Sequence, residues 1–203
     1  MTDPKVVRYI AVVVLYLAAA VVFVEGLGSE KQFLKATSWI PGAIMIALTL
    51  YERWLWKFGP WGLPILSGTW RVTLNSNWRD PAAPDTPVIR TGYFVFRQTA
   101  TLLSVTLYTN ESGSLTLASQ LQKQNDGQYS LSWVYENVSQ LDPKVSPMHF
   151  GSVVAQQVSG RKVREIRGVY FTNRKSDGSF CTSGKRNRKR ASSFASAEEL
   201  LKG

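Results

Sequence analysis

Residues 127–137 read GQYSLSWVYEN. Odd positions carry Tyr129, Leu131, Trp133, Tyr135 and Asn137; even positions carry Gln128, Ser130, Ser132, Val134 and Glu136. Side chains of a strand alternate between two faces, so the stretch reads as a half-buried strand with its aromatic face turned inward. The same period of two recurs downstream of residue 66. Strands are expected near 67–75, 91–99, 101–109, 114–122, 128–137, 149–157, 164–174 and 179–183. The links TNESGS, KQNDG and RKSDGS are short turns rich in Gly, Asp and Asn, the kind that join antiparallel neighbours. Only SNWRDPAAPDTPVI and NVSQLDPKVSPM are long. Short strands in this number, with no helical pattern between them, fit a closed antiparallel up-and-down barrel of about eight strands. Closure removes sticky edges and leaves an interior that holds side chains or one small ligand.

Upstream the pattern is different. Residues 6–24, VVRYIAVVVLYLAAAVVFV, are apolar except for Arg8. At about 1.5 Å per residue such a helix spans roughly the 30 Å of a bilayer core. A second apolar run, ATSWIPGAIMIALTLYERWLW at 36–56, has Pro41 near its start, where a missing amide costs little. Trp39, Tyr51, Trp54 and Trp56 at its ends suit an interfacial belt. The fold class expected is therefore two N-terminal transmembrane α-helices plus an all-β barrel. A cleaved signal peptide fits less well, because the first apolar region is long, lacks a small-x-small site and is followed by a second span. Lys5 and Arg8 precede the first span and Arg53 and Lys57 follow the second, while the connector balances its charges. The positive-inside rule then puts both termini in the cytoplasm. A single cysteine, Cys181, agrees with a reducing compartment.

Three regions follow: a two-helix hairpin at 1–59, a β-barrel at 60–184 and a basic C-terminal tail at 185–203. The 203-residue chain carries a net charge of +10. Much of it sits in KRNRKR, 185–190, expected to be a solvated or lipid-facing tail. No RNA-binding fold accompanies it, so neither DNA nor RNA is expected as a partner.

Catalysis has little to work with. His149 and Cys181 are each the only residue of their type, which excludes a Cys-rich metal site, a histidine cluster and the usual triads. Most aspartates sit in turns beside Gly, Pro, Asn or Ser, and no glycine-rich phosphate loop occurs. No enzyme activity, metal or cofactor is expected. Ligand binding fits better: rings stack on nucleobases, amides read base edges and guanidinium forks match phosphates. Arg97, Tyr135, Asn137, Tyr170, Asn173 and Arg174 supply all three groups. On 164–174, Gly168, Tyr170, Thr172 and Arg174 share one face and Val169, Phe171 and Asn173 the other, and neither is cleanly apolar. The Tyr170 face is favoured as the inner one because Gly168 leaves room there.

Two closely linked apolar helices before a β-rich domain with GTW at 68–70, WVYEN at 133–137 and GVYFTNR at 168–174 resemble the S-2TMβ effectors. These are the SMODS-associating two-transmembrane, β-strand-rich proteins of CBASS antiphage defence. The resemblance covers the chain to about residue 184. It implies a barrel that binds a cyclic dinucleotide made by a partner CD-NTase, then homo-oligomerises and drives the helices to disrupt the bacterial inner membrane. GTW also opens lipocalins, where the tryptophan plugs the barrel floor. A membrane-tethered, lipocalin-like carrier of an apolar ligand and a structural membrane protein with a solid barrel are the alternatives.

Overall fold

The computed structural model describes residues 30–58, 63–78, 86, 88–139, 148–158, 162–174 and 176–202, together with Val14, Leu17, Ala18 and Val21. The chain forms two compact units, Met1–Trp61 with Thr99–Thr101, and Gly62–Gln98 with Leu102–Gly203.

In the first unit the run at 6–24 lies outside the described residues, except for its four described positions, of which Val14, Leu17, Ala18 and Val21 are all helical. The second run falls on helix α1, Glu30–Arg53, followed by a 3-10 turn at Leu55–Lys57. The helix starts upstream of the apolar run, so Pro41 lies in its interior and not in its first turn. Met45, Ile46, Leu48 and Leu50 are exposed, whereas Trp56 is buried and so is not free to join an interfacial belt. Among the described residues no helix is long and apolar enough to cross a membrane. The Glu52 carboxylate gathers the turn assigned to this unit, accepting from Thr101 N (3.2 Å), Thr101 Oγ1 (2.6 Å) and Thr99 Oγ1.

The second unit is a closed barrel of eight antiparallel strands in sequence order. They are β1 (Gly68–Ser76), β2 (Val88–Gln98), β3 (Leu103–Tyr108), β4 (Ser112–Lys123), β5 (Tyr129–Ser139), β6 (His149–Val158), β7 (Arg167–Thr172) and β8 (Asp177–Asn187). Each expected strand has its counterpart. The ring closes where β1 pairs with β8, from Ser76↔Gly178 to Thr69↔Asn187 across one irregularity between Trp70 and Val72.

One end of this barrel is shut. The segment 63–67 leads into β1, and Trp70 is fully buried behind it, its indole N–H donating to Leu66 O at 2.7 Å. Gln98 holds the same segment from the side, its amide donating to Pro64 O (2.9 Å) and accepting from Leu66 N (2.8 Å). Arg186 closes the other side. Its guanidinium lies 5.0 Å from the Trp70 ring and donates to Ile65 O (2.8 Å) and Ser67 O. Burial, and then the neighbouring Arg188, hold that guanidinium below the ordinary arginine value. Gly68 has φ +129°, and a Cβ there would meet Asn187 O at 2.3 Å, so the first residue of GTW admits only glycine. Above the floor stand Phe96, Val105, Leu131, Ala155 and Ile166. A mid-barrel stack of Phe94, Trp133 and Phe180 follows, with ring centroids 5.3–6.1 Å apart in edge-to-face contacts.

The C-terminal segment is not a free tail. Strand β8 continues to Asn187, past the expected boundary at 184, and Phe194–Lys202 form helix α2. Ser193 caps its start, its hydroxyl accepting from Ser196 N at 3.2 Å, and Asn187 Nδ2 donates to Leu200 O at 2.9 Å near its end. Phe194, Ala197, Leu200 and Leu201 form a second small core with Tyr93, Val95, Tyr108 and Ala191, and the Tyr93 and Phe194 rings are 5.2 Å apart. Strand β2 is therefore buried on both faces over residues 92–96. Trp70→Ala is expected to lower the unfolding free energy by about 3–5 kcal/mol, since it empties a fully buried site and strips Arg186 of its ring. Chemical denaturation followed by tryptophan fluorescence measures it.

Candidate ligand cavity

Because the lower half is packed, the space inside the barrel lies toward the opposite end, where β1 finishes at Ser76 and β8 starts at Asp177. The cavity measures about 700 Å³. That lies within the range of pockets that enclose a small organic ligand. Its base is the Phe94, Trp133 and Phe180 stack, its walls carry Tyr135 and Tyr170, and its rim carries Arg90, Glu111 and Arg174.

Local register sets both tyrosines. Tyr135 on β5 lies directly opposite Gly151 on β6, and Tyr170 on β7 opposite Gly178 on β8. Each ring lies over its partner glycine: a Cβ at 151 would stand 2.3 Å from the Tyr135 ring, and one at 178 would stand 2.6 Å from the Tyr170 hydroxyl. The missing side chains are thus the seats of the rings. Burial, and secondarily the neighbouring Tyr170, push the Tyr135 phenol up to about 12. It is a neutral hydrogen-bonding hydroxyl at any physiological pH.

Two rim turns are built alike. In one, the Thr109 hydroxyl meets that of Ser112 at 3.0 Å, with Glu111 between them. In the other, Thr172 and Ser176 hydroxyls meet at 2.7 Å, with Arg174 between them. Glu111 also forms an ion pair with Arg90 of β2, and both side chains are a little under half exposed. The rim therefore presents hydroxyls and guanidinium groups above a base of rings.

Four of the six expected ligand residues line this cavity: Tyr135, Asn137, Tyr170 and Arg174. The Tyr170 face of β7 is the inner one, as the alternating exposure of Arg167–Thr172 shows. The other two do not face it. Arg97 has the parity opposite to Phe94 and Phe96 and points outward from β2, exposed. Asn173 lies just past the end of β7, exposed, and its side-chain oxygen accepts from Phe150 N at 3.2 Å, so it ties two strands together. Sequence reasoning missed Arg90 and Glu111. Counting back by twos from Phe94 on β2 reaches Arg90, so the signal was present in the same alternation. Trp133 was assigned to the inner face, and the structure gives it the further part of cavity base.

A ring-floored cavity with hydroxyls on its walls and guanidinium groups at its rim defines a β-barrel able to enclose a small ligand. Residues 62–185 match the family described as Cap15, cyclic dinucleotide receptor domain, and the chain belongs to that family. No curated protein matches the chain.

Two substitutions separate the walls from the rim. Gly151→Val forces the Tyr135 ring off its seat and is expected to weaken binding of a cyclic dinucleotide by roughly tenfold or more, with an unchanged far-UV circular dichroism spectrum. Glu111→Gln removes an anion from the mouth and releases Arg90, so calorimetry should report binding tighter by about two- to fivefold.

Proposed function

We propose that this chain is a membrane-attached effector of CBASS antiphage defence whose barrel cavity takes a cyclic dinucleotide made by a partner CD-NTase. The observation that carries the reading is the cavity itself, inside a domain of a cyclic dinucleotide receptor family. Tyr135, Tyr170 and Trp133 offer faces and edges to two nucleobases, Asn137 offers an amide to a base edge, and Arg90 and Arg174 offer guanidinium forks to the two phosphates. An apolar carrier would need a less polar rim. The protein acts by binding and not by catalysis.

Attachment to the bacterial inner membrane, with both termini cytoplasmic, is supported by the apolar run at 6–24 and by the exposed apolar side chains of α1. As in the S-2TMβ effectors, ligand binding is read as the trigger for homo-oligomerisation and membrane disruption. A ligand drives such a change only through a difference in its affinity for the free and assembled states. The segment 63–67 enters the barrel at its floor, and Arg90, Glu111 and Arg174 stand at the opposite end.

Thermal unfolding of the purified chain with a panel of cyclic dinucleotides, their linear counterparts and a fatty acid tests the binding. A ligand of the folded form raises the midpoint by mass action. One cyclic dinucleotide should do so, with the rise reduced in Arg174→Ala and Arg90→Ala. Stabilisation by the fatty acid alone would replace this reading with that of an apolar carrier.

A further inference from the structure

We propose that the closed end of the barrel is a docking surface for acidic lipid headgroups. Lys185, Arg188, Lys189 and Arg190 are all exposed at the end of β8 and in the link to α2. The backbone beneath them is pinned. Thr69 Oγ1 donates to Lys189 O at 2.8 Å and accepts from Ala191 N at 3.0 Å, and Lys189 N donates to Asn187 Oδ1 at 2.9 Å. Thr69 is the second residue of β1, directly after the segment 63–67, so the charged link lies beside the place where the polypeptide enters the barrel.

The same end gathers further charge, Lys123, Lys162 and Arg164 against Asp126 and Glu165, of which Glu165 is already paired with Arg167 at 3.1 Å. Strand β4 runs from the mouth at Ser112 to the floor at Lys123, and the link between β6 and β7, also at the floor, exposes Lys162 and Arg164. Among the described residues no salt bridge involves Lys185, Arg188, Lys189 or Arg190; Glu198 of α2 pairs instead with Lys202, at 3.3 Å. Holding like charges close together on a fixed backbone costs free energy, which an external polyanion offsets. Acidic headgroups ask only for charge, and each lysine or arginine near such a surface contributes on the order of 1 kcal/mol. Single-stranded nucleic acid asks for stacking rings as well, and no aromatic residue falls within 185–190. The apolar segments that precede residue 63 favour the lipid surface over the nucleic acid. The cluster extends beyond residue 185, where the match to the receptor family ends.

The proposal rests on the membrane-attached part of the functional reading, and the test separates the two. The full chain is reconstituted in nanodiscs of phosphatidylcholine alone or of a mixture with phosphatidylglycerol, and acetylation of Lys185 and Lys189 is followed by mass spectrometry. Acetylation should slow roughly fivefold in the acidic discs, recover at high salt, and lose its lipid dependence in an Arg188→Glu/Arg190→Glu variant, which keeps both reporter lysines. Equal rates in both discs would overturn the proposal while leaving insertion intact. A chain that fails to insert would overturn the proposal together with the membrane reading, while cyclic dinucleotide binding stands or falls by its own assay. Protection in phosphatidylcholine discs on adding a single-stranded RNA oligonucleotide would hand the surface to nucleic acid and overturn the lipid assignment.

Discussion

The rest of the structure depends on the bolt across one end of the barrel. A ring of eight strands has two ends and no inherent reason to treat them differently. Here Trp70 blocks one of them, and its indole N–H, the Gln98 amide and the Arg186 guanidinium together occupy backbone groups of the segment 63–67. Those carbonyls and amides would otherwise enter the interior without partners, which a buried backbone does not tolerate. Once that end is sealed, aromatic packing grows upward from it and stops at the Phe94, Trp133 and Phe180 layer. What remains above is a chamber at one end alone of the described barrel, so one asymmetry at the floor creates the site.

That chamber divides its labour by height. The base is dry and aromatic, the walls end in hydroxyls, and the rim holds both signs of charge. A molecule with flat rings and an anionic backbone fits this gradient when its rings go down and its phosphates stay up. Arg90 and Arg174 are exposed among the described residues, so an anion paired there would not bear the full desolvation of a buried ion pair. Stacking and charged groups thus sit at different heights, Phe94 and Arg90 one above the other on β2, and can be altered separately.

Much of this was legible in the sequence wherever one physical signal acted alone. GQYSLSWVYEN alternates cleanly because β5 is wet on one side and dry on the other, and its inner face is the one read from it. Strand β2 is harder to read because α2 covers its outer face: Tyr93 and Val95 are buried like Phe94 and Phe96, so apolar character does not tell the two faces apart there, and only the step of two from Phe94 to Arg90 leaves Arg97 outside. Asn173 carried the right chemistry, but its amide is used to join β6 and β7. The helix at Phe194–Lys202 was hidden behind the charges before it, although Phe194, Ala197 and Leu201 already have helical spacing. A basic run draws attention to solvent, while the apolar stripe after it decides where the backbone goes.

The tyrosines seated on glycines also bear on how such a barrel evolves. At Tyr135 and Gly151 a single position cannot drift by itself: a side chain gained on one strand evicts the ring of the other, and a ring lost leaves a bare backbone with nothing over it; Gly178 is held further by the Asn75 carbonyl of β1. Viable change at 135 and 151 runs through exchanges in which both partners alter together. Relatives of this chain should therefore show 135 and 151 as a covarying pair, whereas position 178, where a Cβ would also meet Asn75 O at 2.1 Å, should stay glycine whatever stands at 170.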